Sequence, residues 1–453
     1  MKKAEIRKLM EEQTEENSFV ELLKTSNHYF NGFEKRLSQI EDPRHNSYTD
    51  YPIEEIVYPV ILKNMFNLNS MREIETALIP ETAVGNLRKI LKTENSIRRI
   101  DRGFSPSYVT INDCFEEMDE TEIEELRVWM VKNLIRMRSF ENARFSNKHW
   151  LIIVDATQIY TSNKKHCDNC LTKTHINKET GEISTTYHHN VLEAKLVIGD
   201  NLIISIATEF IENDSTDAEK QKKMGQEKLK QDCEIKAFTR LAEKLKKSFK
   251  RLPICIMGDS LYANETLFKI CEANKWEYLI RFKDGSIPSV AEEFHKLKNI
   301  EKKNHTIDCK WVNEIGYKDR TVNVMEFRLE EKDKKTMFQW ISSMRITKSK
   351  AKIFAQTGRK RWNIENEGFN IQKNHRYEIK HMNSLNYNAM KIHYLLTQVA
   401  DIILQLYEKG DKLIKALKTT IKKISSNLLL SFARQLTRED ISYTRKCIRI
   451  NIP

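Results

Sequence analysis

The sequence reads as an α/β protein, with a helical N-terminal region, a strand-rich middle and a basic helical end. Two runs, "WLIIVDAT" from Trp150 and "LPICIMGDS" from Leu252, are short, apolar and rich in β-branched residues, and each closes on a carboxylate. That is the texture of a strand buried on both faces. Ahead of them, Ile53, Ile56, Val57, Val60 and Ile61 form one apolar helical face, with Pro52 at the first helical position. Beyond about Lys348 the helical pattern returns and basic residues accumulate. The expected layout is a helical domain over 1–145, a mixed core over 146–400 with a β-rich insertion at about 300–346, and a basic helical region over 401–453.

Each element has its own signal. Residues 1–40 are polar and charged, with patchy helical patterning. Ser70 followed by Glu73 resembles a capping box opening a second helix. Thr110 and Asn112 precede an acidic run, Cys114 to Met137, expected to be helical. These N-terminal helices are either a helix-turn-helix-like DNA reader or a scaffold without DNA contact. After the strand at Trp150, "VLEAKLVIG" and "LIISIATEF" read as strands joined at Gly199–Asp200–Asn201. Residues 217–250 are charged and helical. Thr266–Asn274 reads as a helix and "WEYLIRF" as a strand. Alternation over 307–346 ("TVNVMEFRL", "MFQWISSM") predicts an antiparallel sheet.

The chain has 453 residues, 76 Lys+Arg and 64 Asp+Glu, for a net charge of +12. That length suggests two or three domains. A polyanionic partner suits this balance, since neutralised phosphates release counterions. The excess is uneven: residues 409–450 hold eleven Lys/Arg against three Asp/Glu, interleaved with Ile, Leu and Phe as on amphipathic helices. Such a face either meets DNA or is simply solvated. Met1–Gln13 is charged and lacks an apolar core, so no signal peptide is expected. No apolar run reaches spanning length. Eight scattered Cys do not form a disulfide framework and fit a reducing cytoplasm.

The two strand-end acids, Asp155 and Asp259, lie far enough apart to sit on separate strands of one sheet. Reactive groups gather at the carboxyl ends of strands in such sheets. A third acid lies in "GRKRWNIENEGFNIQKNH", where Arg361, Glu365 and Phe369 recur at helical spacing. Three clustered carboxylates repel one another and call for cations, and hard oxygen ligands suit Mg²⁺ or Mn²⁺. Two such ions support in-line displacement at phosphorus, with water and then a freed DNA 3′-hydroxyl as nucleophile. Each acid alone has an ordinary reading: a turn or cap residue for the Asp pair, a surface ion pair for Glu365.

"VDAT", "GDSLYAN" and "RWNIENEGFNIQK" together resemble the three catalytic motifs of insertion-sequence DDE transposases. The group in question has an RNase H-like core interrupted by a β-rich insertion. The likeness covers roughly residues 45–400. It implies Asp155, Asp259 and Glu365 as the metal-binding triad of a DNA-cutting and strand-joining enzyme. It also implies double-stranded DNA as partner and a homodimer that pairs two element ends. The family's third motif usually has Tyr, two residues, Arg, three residues, Glu, six residues and Lys. Here Arg361 and Glu365 keep their spacing, Gly358 takes the Tyr position, Gln372 takes the Lys position, and Lys373 follows one place later. Glu367 is a rival third carboxylate, on a different face if the segment is α-helical. The alternatives are a stand-alone nuclease on the same core, or an inactive DNA-binding derivative.

Arg361 and Lys373, with Arg281 and Lys283 after the "WEYLIRF" strand, are candidate phosphate contacts. His375, Arg376 and Lys380 extend the basic stretch. Trp311 and Trp340 either hold a flipped base, as an aromatic of the insertion can in related enzymes, or belong to the core. "HCDNC" sets Cys167 and Cys170 at a CxxC spacing, with His166, His175 and His188–His189 nearby. That loop either binds zinc or carries a pair of reduced thiols.

Overall fold

The computed structural model describes residues 5, 7, 8, 11, 17–45, 47, 49–94, 105–137, 140–199, 202–213, 232–300, 304–331, 334–442 and 450. Two compact units result, one of residues 1–140 with 370–453 and one of 141–369.

The first unit is helical among its described residues. It opens with α1 (Ser18–Tyr29), whose first N–H groups are capped by Asn17, and α2 (Phe33–Leu37). Every residue of α3 (Ile53–Met65) is buried, which places this most apolar helix at the centre rather than on a surface. Pro52 is its N-cap, one place before the expected position. Next come α4 (Met71–Ala77) and α5 (Glu81–Leu91). The Ser70 hydroxyl accepts from Glu73 N–H at 3.3 Å, and the Glu73 carboxylate accepts from Asn69 N–H at 3.0 Å, a capping box displaced by one residue. The acidic run is helical as expected and divides into α6 (Tyr108–Glu117), capped by Ser107, and α7 (Glu120–Arg136), capped by Asp119. Asp119 competes for backbone N–H groups and restarts the helix.

The second unit is built on a nine-stranded sheet ordered β2-β3-β1-β5-β6-β9-β8-β7, with β4 also paired to β3. The strands are β1 (Trp150–Ser162), β2 (Leu171–Ile176), β3 (Ile183–Ile198), β4 (Leu202–Ile211), β5 (Ile254–Gly258), β6 (Glu277–Arg281), β7 (Cys309–Tyr317), β8 (Arg320–Glu331) and β9 (Lys334–Ser342). Its helices are α8 (Glu234–Phe249), α9 (Glu265–Asn274), α10 (Pro288–Leu297) and α11 (Ala351–Arg359). β1, β3 and β4 are antiparallel neighbours, whereas β1, β5 and β6 run parallel. The insertion strands β7, β8 and β9 are antiparallel, as their alternation predicted, and extend the same sheet because β9 pairs with β6. Asp200 and Asn201 of the β3–β4 turn, and residues 217–231 of the charged run, lie outside the described residues.

Two strand readings need correction. β1 does not stop at Asp155 but runs on to Ser162. Beyond Val154 it keeps an antiparallel partner in β3, while its parallel pairing to β5 ends at Ile153↔Met257. The exposed β2–β3 ribbon was not foreseen: five of the six β2 residues are exposed, so no apolar alternation marked it.

The first unit resumes with α12 (Ile371–Asn374), α13 (Tyr387–Gly410), α14 (Lys412–Leu417), α15 (Ile421–Phe432) and α16 (Arg438–Ser442). The tail is amphipathic as expected: Ile424, Leu428 and Phe432 are buried while Lys422 and Lys423 are exposed. Residues 443–449 of the basic stretch lie outside the described residues. Among the described residues, no helix is long and apolar enough to cross a membrane.

The tail helix is tied to the front of the chain by aromatic packing. The Phe432 ring lies 4.8 Å from Phe19 and 5.4 Å from Phe66, centroid to centroid. Phe432→Ala should therefore cost about 3–5 kcal/mol, the price of an aromatic-sized cavity. Urea unfolding followed by far-UV circular dichroism checks this, and a loss below about 0.5 kcal/mol, typical of a surface site, would contradict the packing.

Candidate metal and phosphate site

Asp155 and Asp259 are brought together by the parallel β1–β5 pair. Asp259 directly follows β5 and caps a short 3₁₀ turn, Ser260–Tyr262, accepting from Leu261 N–H at 2.8 Å. The turn can close tightly because residue 258 is Gly: a Cβ there would lie 2.8 Å from the Tyr262 ring. Asp155 lies two residues beyond Ile153, on the sheet face that carries Ile153 and Lys195. Its carboxylate accepts from Ala156 N–H at 3.0 Å.

The segment from α11 to Phe369 packs on that face. Ile364 and Phe369 are buried in the same core as Leu151, Ile153 and Met257. The Lys195 ammonium lies 5.0 Å from the Phe369 ring centroid, which seats the segment on β3. Arg361 Nη1 comes to 4.0 Å from Asp155 Oδ2. Residues Ile364–Asn370 form a π-helical turn rather than an α-helix, so the α-helical face arithmetic for Arg361, Glu365, Glu367 and Phe369 does not hold. Glu365 and Glu367 are both exposed, and Phe369 is buried. No described contact joins Glu365 to Asp155 or Asp259.

A different acid approaches the pair. Glu234 opens α8, and its carboxylate accepts from the Tyr262 hydroxyl at 3.3 Å. Burial raises the Asp155 carboxyl to about 6; Arg361 pulls it down, and Glu234 and Asp259 push it further up. Glu234 is also raised, first by burial and then by Asp259. Tyr262 is held well above its ordinary value by burial, with Glu234, Asp155 and Asp259 adding to it. Three carboxylates thus influence one another in a partly desolvated place. Sequence reasoning passed over Glu234; its only mark was an acid at a helix start, which is commonplace.

Arg361 opposes the effect of burial on Asp155 more strongly than Glu234 or Asp259 adds to it. A unit pair at 4 Å gains on the order of 4 kcal/mol at an effective dielectric near 20, yet the Asp155 carboxyl still stays raised. Hard carboxylate oxygens under mutual repulsion fit a divalent cation such as Mg²⁺ or Mn²⁺.

The remaining basic candidates divide. Arg281 donates to the backbone carbonyls of Gln339 (3.1 Å) and Met337 (3.4 Å) and lies over Phe338 and Trp340. Burial, then Arg361, lowers its ordinary value. Lys283 is exposed just after β6. In the first unit, Gln372 is buried and donates to Gln398 (3.0 Å) and Asp401 (2.9 Å), so the Lys position of the third motif holds a core amide. Lys373 beside it is half-buried. Arg376 is buried and paired with Glu408, which removes it from the expected basic face; His375 and Lys380 are exposed. Trp311 and Trp340 are 1% and 2% exposed, so neither is free to take a flipped base in this structure. Trp340 instead fills the space beside Gly358, where a Cβ would lie 2.4 Å from the indole. The missing motif Tyr is thus explained: its place is occupied.

The Cys pair also has a partner. Among the described residues, Cys167, Cys170 and His189 are the one group of three or more His, Cys, Asp or Glu whose ligand atoms all lie within 4.8 Å of one another. His166 stacks on Tyr187 instead.

Residues 231–400 match the family model described as "Transposase DDE domain". The match contains Asp259, Arg361 and Glu365 and begins after Asp155. A search among curated proteins finds no match to the chain.

The raised Asp155 carboxyl makes a stability prediction. An acid whose folded value exceeds its unfolded one destabilises the fold when ionised. The penalty is absent below about pH 4, grows as pH rises to about 6, and then amounts to about 3 kcal/mol in metal-free protein. Asp155→Asn should accordingly be more stable than wild type above pH 6, by up to that amount, with the gap closing towards pH 4. Added Mg²⁺ should stabilise wild type more than the variant. Chemical denaturation across pH 4–7 checks this, and a gap that does not vary with pH would contradict it.

Proposed function

We propose that the chain, whose residues 231–400 carry a transposase DDE domain, is a polynucleotidyl transferase that cuts and joins DNA at the ends of its own insertion sequence. The observation that carries the reading is the convergence of Asp155 and Asp259 beside Arg361, where burial raises the Asp155 carboxyl. The strand order β4-β3-β1-β5-β6, three antiparallel strands continued by two parallel ones, supports an RNase H-like core. The net charge of +12 supports a DNA partner.

In this reading Asp155, Asp259 and Glu365 hold two Mg²⁺ or Mn²⁺ ions. When bound, such ions activate the attacking oxygen and stabilise the leaving oxygen in displacement at phosphorus. Arg361, now 4.0 Å from Asp155, would orient a phosphate of the cut strand, and Asp155 would be a ligand of the cation. Lys283, exposed at the end of β6, contacts a flanking phosphate, and Lys373, in the first unit, is a separate candidate phosphate contact. The protein acts as a homodimer that brings two element ends together.

A second reading of the third ligand is favoured by one observation: Glu234 already stands beside Asp259, whereas Glu365 is exposed. An assay of the full chain on a flanked element end with Mg²⁺, scoring nicking and joining separately, decides between them. Asp155→Asn and Glu365→Gln should each lose both steps by at least about 100-fold, since in-line attack tolerates little misplacement. Glu367→Gln should keep most activity. Arg361→Ala should flatten the log–log salt dependence of DNA binding by about one unit per lost phosphate contact. Near-normal Glu365→Gln with inactive Glu234→Gln moves the third ligand to Glu234, and nicking by Asp155→Asn at the wild-type rate overturns the proposal.

A further inference from the structure

The geometry points to a zinc ion held by Cys167, Cys170 and His189, a structural rivet at the root of the β2–β3 ribbon. The Sγ atoms lie 3.7 Å apart, and each lies 3.3 Å from His189 Nε2. Around tetrahedral zinc, with Zn–S about 2.3 Å and Zn–N about 2.0–2.1 Å, the corresponding edges are about 3.8 and 3.5 Å. The three atoms thus stand within a few tenths of an ångström of a zinc face. A disulfide would bring the sulfurs to about 2.05 Å, far closer than they are.

Reduced thiols account for this arrangement less well. A neutral imidazole nitrogen offers one lone pair, so it cannot accept well from two thiols equidistant from it. One cation at the shared centre satisfies all three atoms. The backbone is arranged to match: Cys170 N–H donates to Cys167 O at 3.1 Å, and Cys167 N–H points at Cys170 Sγ at 3.4 Å. Asn213 fastens the loop from outside, donating through its side chain to Cys170 O at 3.0 Å and through its N–H to Asn169 O at 3.2 Å. Cys170 and His189 are buried, and Cys167 is half-exposed.

The location fixes the role. His189 pairs with Tyr160, five residues along β1 from Asp155, or roughly 16 Å at 3.3 Å per residue. That is too far for a bound ion to touch the chemistry at Asp155. It lies where β1 and β3 leave the core and β2 begins, a ribbon whose outer residues are exposed and add little apolar burial of their own. Zinc there would supply the cross-link that side-chain packing does not.

The test is elemental analysis of the full chain, prepared from zinc-containing medium without chelator, together with the absorption spectrum of its Co²⁺-substituted form. The proposal expects about one zinc per chain and cobalt bands showing thiolate charge transfer. Cys167→Ser/Cys170→Ser should lose both, while Cys233→Ser, an exposed Cys elsewhere, should keep them. Should the double variant not fold, a strong chelator on wild type gives the second reading, as it should strip the zinc and lower Tm. Less than about a tenth of a zinc per chain, with no thiolate–cobalt bands, would overturn the proposal. The outcome does not depend on metal at Asp155 and Asp259, so it stands or falls apart from the proposed DNA chemistry.

Discussion

Burial of the Asp155 and Glu234 carboxylates is the constraint on which the account of the second unit depends. Asp155 lies on β1, Asp259 where β5 ends and Glu234 where α8 begins, so three separate elements bring carboxylates within electrostatic reach of one another. Arg361 offsets part of the effect of burial, and the Asp155 carboxyl still rises to about 6. A fold that buries an ionisable carboxyl in this way bears a cost in the metal-free state. Function is the ordinary reason for that cost to persist.

The packing around the cluster is rigid where placement matters. Gly258 lets Tyr262 close over the end of β5, and Gly358 lets Trp340 close against α11. Both contacts fix segments that carry charged groups, the first Asp259 and the second Arg361. The π-helical turn over Ile364–Asn370 follows at once, seated on β3 through Phe369 and Lys195. Such turns are often found at functional sites, since they set side chains at spacings an α-helix cannot reach.

What the sequence disclosed follows from how each residue is buried. β1 and β5 were legible because Leu151–Val154 and Ile254–Met257 are apolar on both faces. Asp155 and Asp259 were legible because each interrupts such a run. The β2–β3 ribbon was not, because Thr172, Lys173 and Thr174 face solvent and leave no periodic mark. The basic stretch after Gln372 misled because charge alone does not tell a surface Arg from one like Arg376, buried against Glu408. Trp340 had two open readings in the sequence, and its burial against Gly358 decides for the core. The convergence of Glu234 on Asp259 is a tertiary fact that no local pattern encodes.

The claim at the centre of this account is that Asp155 and Asp259 share a divalent cation. Anomalous diffraction from crystals of the full chain grown with Mn²⁺ measures this directly. The account predicts a manganese peak bridging the two carboxylates, with a third acid, Glu365 or Glu234, completing the ligand set. Crystals with Mn²⁺ bound elsewhere and none between Asp155 and Asp259 would contradict it.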